Sequence, residues 1–245
     1  MAKVRLDQLL VARELAPSRA SALGVVLAGE VFVDGLRVDK AGVLVADDAA
    51  VEVRGPACPY VSRGGIKLAG ALDAFGIDVG GLHCLDLGAS TGGFTDCLLQ
   101  RGASKVIAVD VGYGQLAHKL RVDARVVVME RTNGRALTSE AIGGPIDLTV
   151  VDASFIGLAK LMPAVSDCTR PGGTLVALVK PQFEVGREQA SQTRGVVRDE
   201  KIRTAAVANA TRSVAQAGFE IRMHQDSVLT GPKGNREVFL YATRL

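Results

Sequence analysis

The chain has 245 residues, of which 48% are hydrophobic and 22% charged, and a net charge of +3; this excludes a disordered or fibrous polymer and describes a globular protein able to bury a sizeable core without disulfides or a structural metal. The four cysteines (Cys58, Cys84, Cys97, Cys168) contain no C-x-x-C pair and the three histidines (His83, His118, His224) lie far apart, which argues against a zinc ribbon, a redox dithiol or any resident metal. No apolar run approaches the roughly 18 residues of a membrane span, and the opening Lys3, Arg5 and Asp7 do not form a secretory signal, so the expected compartment is the cytoplasm.

In chain order, Leu6, Leu9, Leu10 and Arg13 fall at helical spacing about Asp7. Pro17-Ser18 offers a turn and an N-cap, and residues 20–28 read as a second helix stopped at Gly29. Val31-Phe32-Val33, the turn Asp34-Gly35 and Arg37-Val38 read as a hairpin, with further short strands at 43–45 and 51–53. Gly55-Pro56-Ala57-Cys58-Pro59 breaks every pattern. A small α+β module is therefore expected over 1–54, a linker over 55–62 and a second domain over 63–245.

From Gly64 onward helices alternate with apolar strands. Residues 67–75, 93–100, 156–165 and the long amphipathic stretch 201–217 read as helices. Residues 84–87, 106–110, 126–129, 148–152 and 174–179 read as buried strands, with 219–223 and 238–242 as a closing antiparallel pair. Repeated strand–helix units imply an α/β fold with a doubly wound, Rossmann-like parallel sheet, whose ligands bind beyond the carboxyl ends of the strands near the switch in strand order. Charge divides unevenly. Residues 1–60 carry seven Lys and Arg against eight Asp and Glu, and the remainder carries 22 against 18. That balance permits a nucleic-acid partner without demanding one, so binding would rest on a local basic face.

The first strand of the sheet runs into Asp86-Leu87-Gly88-Ala89-Ser90-Thr91-Gly92-Gly93-Phe94-Thr95. A dinucleotide fingerprint would read G-x-G-x-x-G and seat a pyrophosphate on the following helix. Here Ser90 stands where the second glycine belongs, and Asp86 puts a carboxylate at the strand end. A carboxylate repels a pyrophosphate but attracts the cationic amino group of S-adenosylmethionine. Asp110, ending the next strand, suits the ribose hydroxyls of either cofactor, and Thr132-Asn133 after the third strand could frame the adenine. The candidate cofactor residues are Asp86, Gly88, Ser90, Thr91, Gly92, Gly93, Phe94, Asp110, Thr132 and Asn133. A nicotinamide enzyme and a bare strand–helix turn stand as alternatives. Two later strands also end in charge, at Asp152 and Lys180. Such charges at the ends of apolar strands point to a cleft and are costly unless paired or used.

At these residues the chain resembles the TlyA-type family, whose members carry the names hemolysin and ribosomal RNA 2′-O-methyltransferase. The resemblance covers nearly the whole chain. It is carried by the Asp86–Thr95 loop, by Asp110-Val111-Gly112-Tyr113-Gly114-Gln115-Leu116, by Val179-Lys180-Pro181-Gln182-Phe183-Glu184, and by Ser62-Arg63-Gly64-Gly65. The second domain is similar to FtsJ-like 2′-O-methyltransferases. The first resembles a small RNA-binding module, through Arg5-Leu6-Asp7, Ser18-Arg19 and Gly29-Glu30-Val31-Phe32-Val33-Asp34-Gly35. The resemblance implies a Lys-Asp-Lys-Glu catalytic tetrad at Lys67, Asp152, Lys180 and Glu237. Lys67 and Glu237 would read as surface charges without it.

The expected activity is that of an S-adenosylmethionine-dependent methyltransferase acting on ribose hydroxyls of ribosomal RNA or ribosomal subunits, with cytidine as the expected nucleotide. Lys180 would act on the hydroxyl as general base or as a cation beside the developing oxyanion. Asp152 would orient it, and Lys67 and Glu237 would hold the ribose and the charge balance. Arg5 and Arg19 in the module, with Arg63, Arg187, Arg194 and Arg198 in the second domain, are the expected RNA contacts. Lys119, Arg121, Lys233 and Arg236 could add to them. Residues 184–199 read as a flap over the substrate. A membrane-active hemolysin without transferase activity is the contrasting reading. It would need a signal, a span or a strongly basic amphipathic helix, whereas the 201–217 helix carries the alanines and valines of a sheet-packing face.

Overall fold

The computed structural model describes residues 2–16, 18–27, 29–54, 58–185, 195–231 and 233–245. Arg187 and Arg194, most of the expected flap and residues 55–57 of the expected linker lie outside the described residues. Backbone contacts divide the chain into two units, Met1–Arg63 and Gly64–Leu245.

In the first unit, α1 (Leu6–Ala12) and α2 (Arg19–Leu27) direct Leu6, Leu10, Ala22 and Val26 into one small core. Three short strands, β2 (Val31–Val33), β3 (Leu36–Arg37) and β5 (Val51–Val53), form an antiparallel sheet in the order β3-β2-β5. Asp34 and Gly35 both take positive φ, 49° and 79°, the two-residue turn whose twist matches a hairpin. A separate pair joins β1 (Lys3–Arg5) to β4 (Leu44–Ala46).

The second unit holds a seven-stranded sheet in the order β11-β12-β10-β9-β6-β7-β8. Five strands run parallel: β6 (His83–Leu87), β7 (Lys105–Val109), β8 (Val126–Met129), β9 (Ile146–Val151) and β10 (Thr169–Val179). The closing strands β11 (Phe219–Asp226) and β12 (Val238–Arg244) pair antiparallel, and β12 also pairs antiparallel with β10. The chain starts in the middle at β6, builds outward to β8 and returns to β9 on the other side of β6. The strand order thus reverses between β6 and β9, where open α/β sheets bind their ligands. Leu85, Leu87, Ile107, Val109, Val151, Leu175 and Leu240 are part of the core. They come from near-continuous apolar strands, as burial on both faces requires.

Around the sheet lie α3 (Arg63–Phe75), α4 (Gly93–Gln100), α5 (His118–Arg121), α6 (Met162–Cys168), α7 (Pro181–Glu184) and α8 (Glu200–Gln216). Four differ from expectation. The first begins at Arg63, four residues before the expected start. The one-turn α5 and α7 are not expected from the sequence and carry too few residues to show a period. The expected helix over 156–165 is instead a 3-10 turn, Leu158–Lys160, followed by α6. Pro163 accounts for this: lacking an N–H, it suits the first turn of a helix and not its interior.

Candidate active site

The register of the sheet lines up the charged strand ends. Leu87 pairs with Val109 and Val151, Val151 with Ala177, and Val179 with Val238. The residues just beyond these positions, Gly88, Asp110, Asp152, Lys180 and Glu237, therefore fall along one edge. Glu237 reaches it from the opposite chain direction because β12 is antiparallel.

Backbone geometry fixes the glycine loop. Gly88 has φ of 97°, and a Cβ there would lie 2.9 Å from the carbonyl oxygen of Asp152. Only glycine lets β6 leave the sheet this close to β9. Ser90 takes a positive φ of 47°. Its N–H donates to Asp110 Oδ2 at 2.8 Å, and Gly112 N–H donates to Asp110 Oδ1 at 2.6 Å. Asp110 thus ties the loop to β7, and each oxygen keeps a lone pair for a ligand hydroxyl. A Cβ on Gly92 would run into Leu116 and Leu120. Gly93 opens α4, and Thr91 accepts the Ala117 N–H at 3.1 Å. The ring of Phe94 belongs to the core, stacked on Phe239 at 6.0 Å, which leaves only its backbone for a ligand.

Asp86 is fully buried. Its Oδ2 accepts the Thr95 hydroxyl at 2.7 Å, and its Oδ1 has no partner. Burial pushes its pKa up to about 7; the charges of Asp152 and Asp110 add to the rise, and the Thr95 hydrogen bonds oppose it. Three carboxylates around one glycine loop, one of them with an orphaned oxygen, fit a ligand bearing a cationic amine and hydroxyls. They do not fit a polyphosphate.

Two ion pairs stand beside this loop. Lys67, on α3, lies 2.6 Å from Glu237 Oε2, and both side chains are buried (11% and 1% exposed). Lys180 Nζ lies 2.6 Å from Asp152 Oδ1. It is aimed at Ser154 Oγ (2.8 Å) and the Asp152 carbonyl (3.3 Å), so the contact with the Asp152 carboxylate is an ion pair and not an aligned hydrogen bond. The four residues of the expected tetrad are thereby paired, Lys67 with Glu237 and Asp152 with Lys180.

Thr132 and Asn133 follow β8. The N–H of Thr132 donates to the Asp110 carbonyl at 2.9 Å, while the Asn133 side chain accepts the Arg135 N–H at 3.1 Å and caps a 3-10 turn. Many candidate RNA-binding cations are committed to carboxylates: Lys119 to Asp96, Arg121 to Glu130, and Arg236 to Glu200 and Asp226. Arg5 and Arg19 both donate to Asp7 Oδ2, at 2.9 and 3.0 Å, and the Arg5 hydrogen bond leads in holding the Asp7 carboxyl well below the usual carboxylate range. Arg63 opens α3, and Arg198 is exposed just before α8.

Sequence reasoning missed Ser154 and Phe155. Phe155 is 91% exposed, takes a positive φ of 64° and packs on Phe183 at 5.2 Å. A Phe in the loop directly after Asp152, in a chain with seven Phe and no Trp, was the available signal. Among the described residues no cluster of three or more His, Cys, Asp or Glu could hold a metal ion, and no helix is long and apolar enough to cross a membrane. Burial raises the Cys84 and Cys168 thiols to about 12, which makes them poor nucleophiles.

The FtsJ-like methyltransferase family matches residues 60–244, and the S4 domain matches residues 4–51. A Mycobacterium tuberculosis protein named 16S/23S rRNA (cytidine-2'-O)-methyltransferase TlyA is 50% identical over 240 residues, 98% of this chain and 89% of that one. Hemolysin A of Brachyspira hyodysenteriae is 40% identical over 235 residues, 96% of this chain and 97% of that one. A solved structure from Streptococcus thermophilus superposes with a TM-score of 0.79 at 40% identity, covering 100% of this chain and 89% of that chain. The hemolysin name thus attaches to a relative that matches this chain over nearly its whole length, as the methyltransferase does, and the chain belongs to the FtsJ-like methyltransferase family, in its TlyA-type branch with an N-terminal S4 domain.

Proposed function

We propose that the protein transfers a methyl group from S-adenosylmethionine to the 2′-hydroxyl of a cytidine in ribosomal RNA, in the cytoplasm. The observation that carries this reading is the pairing of Lys180 with Asp152 and Lys67 with Glu237 beside a glycine loop ringed by carboxylates. The activity in the name of the Mycobacterium tuberculosis relative supports the choice of ribosomal RNA and cytidine. S-adenosylmethionine, when bound, supplies a methyl on a sulfonium that is already a strong electrophile. Asp86 would meet the cationic amine with its unpartnered Oδ1, and Asp110 would accept ribose hydroxyls of the cofactor with its remaining lone pairs.

The protein's remaining task is to align a weakly acidic ribose hydroxyl and manage its proton. Ser154 Oγ, 2.8 Å from Lys180 Nζ, marks the distance at which a hydroxyl oxygen can sit against this nitrogen. Lys180 acts there on the substrate hydroxyl, held in place by Asp152. Lys67 and Glu237 fix the start of β12 to α3 and supply a balanced charge next to the ribose. The exposed ring of Phe155, backed by Phe183, offers a face on which the target base can stack. Tritiated methyl transfer to unmodified ribosomal subunits, with mapping of the labelled nucleotide, tests the reading. Label at a 2′-oxygen is the expected result; a protein that binds NADH and ignores S-adenosylmethionine in calorimetry overturns it.

The S4 unit is proposed to hold the ribosomal RNA. Its acidic balance makes long-range steering weak, so its contribution rests on a few contacts, foremost Arg5 and Arg19, which share Asp7 and stay half-exposed. Removal of residues 1–60 is expected to leave cofactor binding intact and to abolish most activity on subunits. Equal activity of the truncated and full-length proteins would assign recognition to the second domain alone.

A further inference from the structure

Glu184 is a half-buried acid to which the methyl-transfer reading gives no part. It ends α7, the single turn that begins directly after Lys180. Its Oε1 accepts the N–H of Leu158 at 2.7 Å. Its Oε2 lies so close to Gly157 that a Cβ there would stand 3.3 Å away, and the carbonyl of Phe183 would be equally near. Burial raises its pKa, and the Leu158 N–H opposes that rise. Even half-withdrawn from water, a carboxylate is a costlier acceptor for one backbone N–H than a neutral carbonyl would be.

What this carboxylate holds is the turn that surrounds Lys180. The 152–158 segment is fastened to the 180–184 segment at three places. Lys180 reaches Asp152 and Ser154, Phe183 packs on Phe155, and Glu184 accepts from Leu158. Within this fastened stretch Phe155 sits in the left-handed region at φ 64°, a strained conformation that persists only where its surroundings enforce it. Lys180 and Glu184 also line one small, partly open pocket together with Val151, Ala153, Ile156 and Leu158.

We propose that Glu184 is a positioning residue of the methyl-transfer site, clamping the 152–158 turn onto the strand end that carries Lys180 so that Asp152, Ser154 and Phe155 keep fixed places about Nζ. This rests on the methyltransferase reading. Glu184 itself touches neither the hydroxyl nor the cofactor. Its loss therefore shows in the rate of transfer and not in the assembly of the bound complex.

The test compares the wild type with Glu184→Ala and Glu184→Gln at saturating S-adenosylmethionine and ribosomal subunits. Misplacement of a reacting group by about 1 Å costs on the order of 10²-fold. Glu184→Ala is expected to lower kcat by ~10–10²-fold, with KM for subunits and affinity for S-adenosylhomocysteine within about threefold of wild type. Glu184→Gln keeps an oxygen acceptor for the Leu158 N–H and is expected to recover most of the rate. A kcat for Glu184→Ala equal to wild type, or a loss confined to KM, overturns the inference. Absence of methyl transfer by the wild type overturns the underlying reading instead. A second measurement serves if the alanine variant folds poorly. The chain contains no tryptophan, so Phe155→Trp introduces a single reporter, and its time-resolved anisotropy reads the order of the turn. Adding Glu184→Gln should leave the indole ordered and adding Glu184→Leu should free it. Equal anisotropy in both backgrounds overturns the clamp.

Discussion

Replacing Lys180 by alanine is expected to lower methyl transfer by ~10²–10⁴-fold, the range for loss of a group acting on a transferring proton, while the affinity for S-adenosylmethionine changes little. The two effects separate because Nζ is engaged with Asp152 and Ser154 at the β9 and β10 ends, whereas the cofactor loop is held by Asp110 and by glycines at the β6 end. Single-turnover transfer to subunits gives the chemical step, and calorimetry with S-adenosylmethionine gives the binding step. Full turnover in the variant would reduce Lys180 to a strand-end cap. Equal loss of binding and of rate would place it against the cofactor.

The second large effect concerns Asp86. Burial raises its carboxyl to about 7 in the folded protein from an ordinary value of 3.8, so between these values the folded form holds a proton that the unfolded chain has released. The stabilisation tied to that proton is complete below about pH 4 and is lost as pH rises through about 7. Above pH 7 the buried charge costs on the order of 4 kcal/mol, since each tenfold change in proton affinity corresponds to about 1.36 kcal/mol. Asp86→Asn keeps an oxygen for Thr95 and never ionises. Without ligand it should melt higher than wild type at pH 8, and the gap should shrink severalfold as pH falls toward about 4. It should also lose affinity for the cationic cofactor. In the wild type, binding near neutral pH should release a proton, which calorimetry in buffers of different ionisation enthalpy detects. A melting difference independent of pH would show that Asp86 is ionised without cost in the fold.

The parts of the site that could be read from sequence are those where a charge interrupts an apolar strand. Asp86, Asp110, Asp152 and Lys180 stand out because parallel strands buried on both faces leave no neutral reason for an ion at their ends. Lys67 and Glu237 gave no such sign. They lie 170 residues apart, on a helix and in the turn before an antiparallel strand, and each alone resembles a solvated charge; only folding makes them a pair 2.6 Å apart. The family resemblance singled them out and their surroundings did not. Phe155 left only a compositional sign and Glu184 none, for another reason. What marks them is a positive φ and a backbone N–H partner 26 residues away, and neither leaves a period or a spacing. Charge balance also says nothing of pairing: Arg121 and Arg236 are bound to nearby carboxylates, as Arg5 and Arg19 are to Asp7. The helix expected over 156–165 fails at Pro163, where apolar spacing continues but the backbone has no N–H to give.

Gly88 has a consequence for how the two halves of the reaction communicate. Its Cα abuts the carbonyl of Asp152, with no room for a methyl group between the β6 and β9 ends. The backbone that faces one ligand and the backbone that carries the partner of Lys180 thus share a seam. A ligand that shifted the backbone on one side of that seam would have to displace the other, and any coupling so produced would be reciprocal: whatever factor one ligand added to the affinity of the second, the second would return to the first. Widening the seam by a single methyl at position 88 would therefore disturb the backbone on both sides at once, unlike a side-chain change at Lys180 or Glu184, which leaves the seam intact.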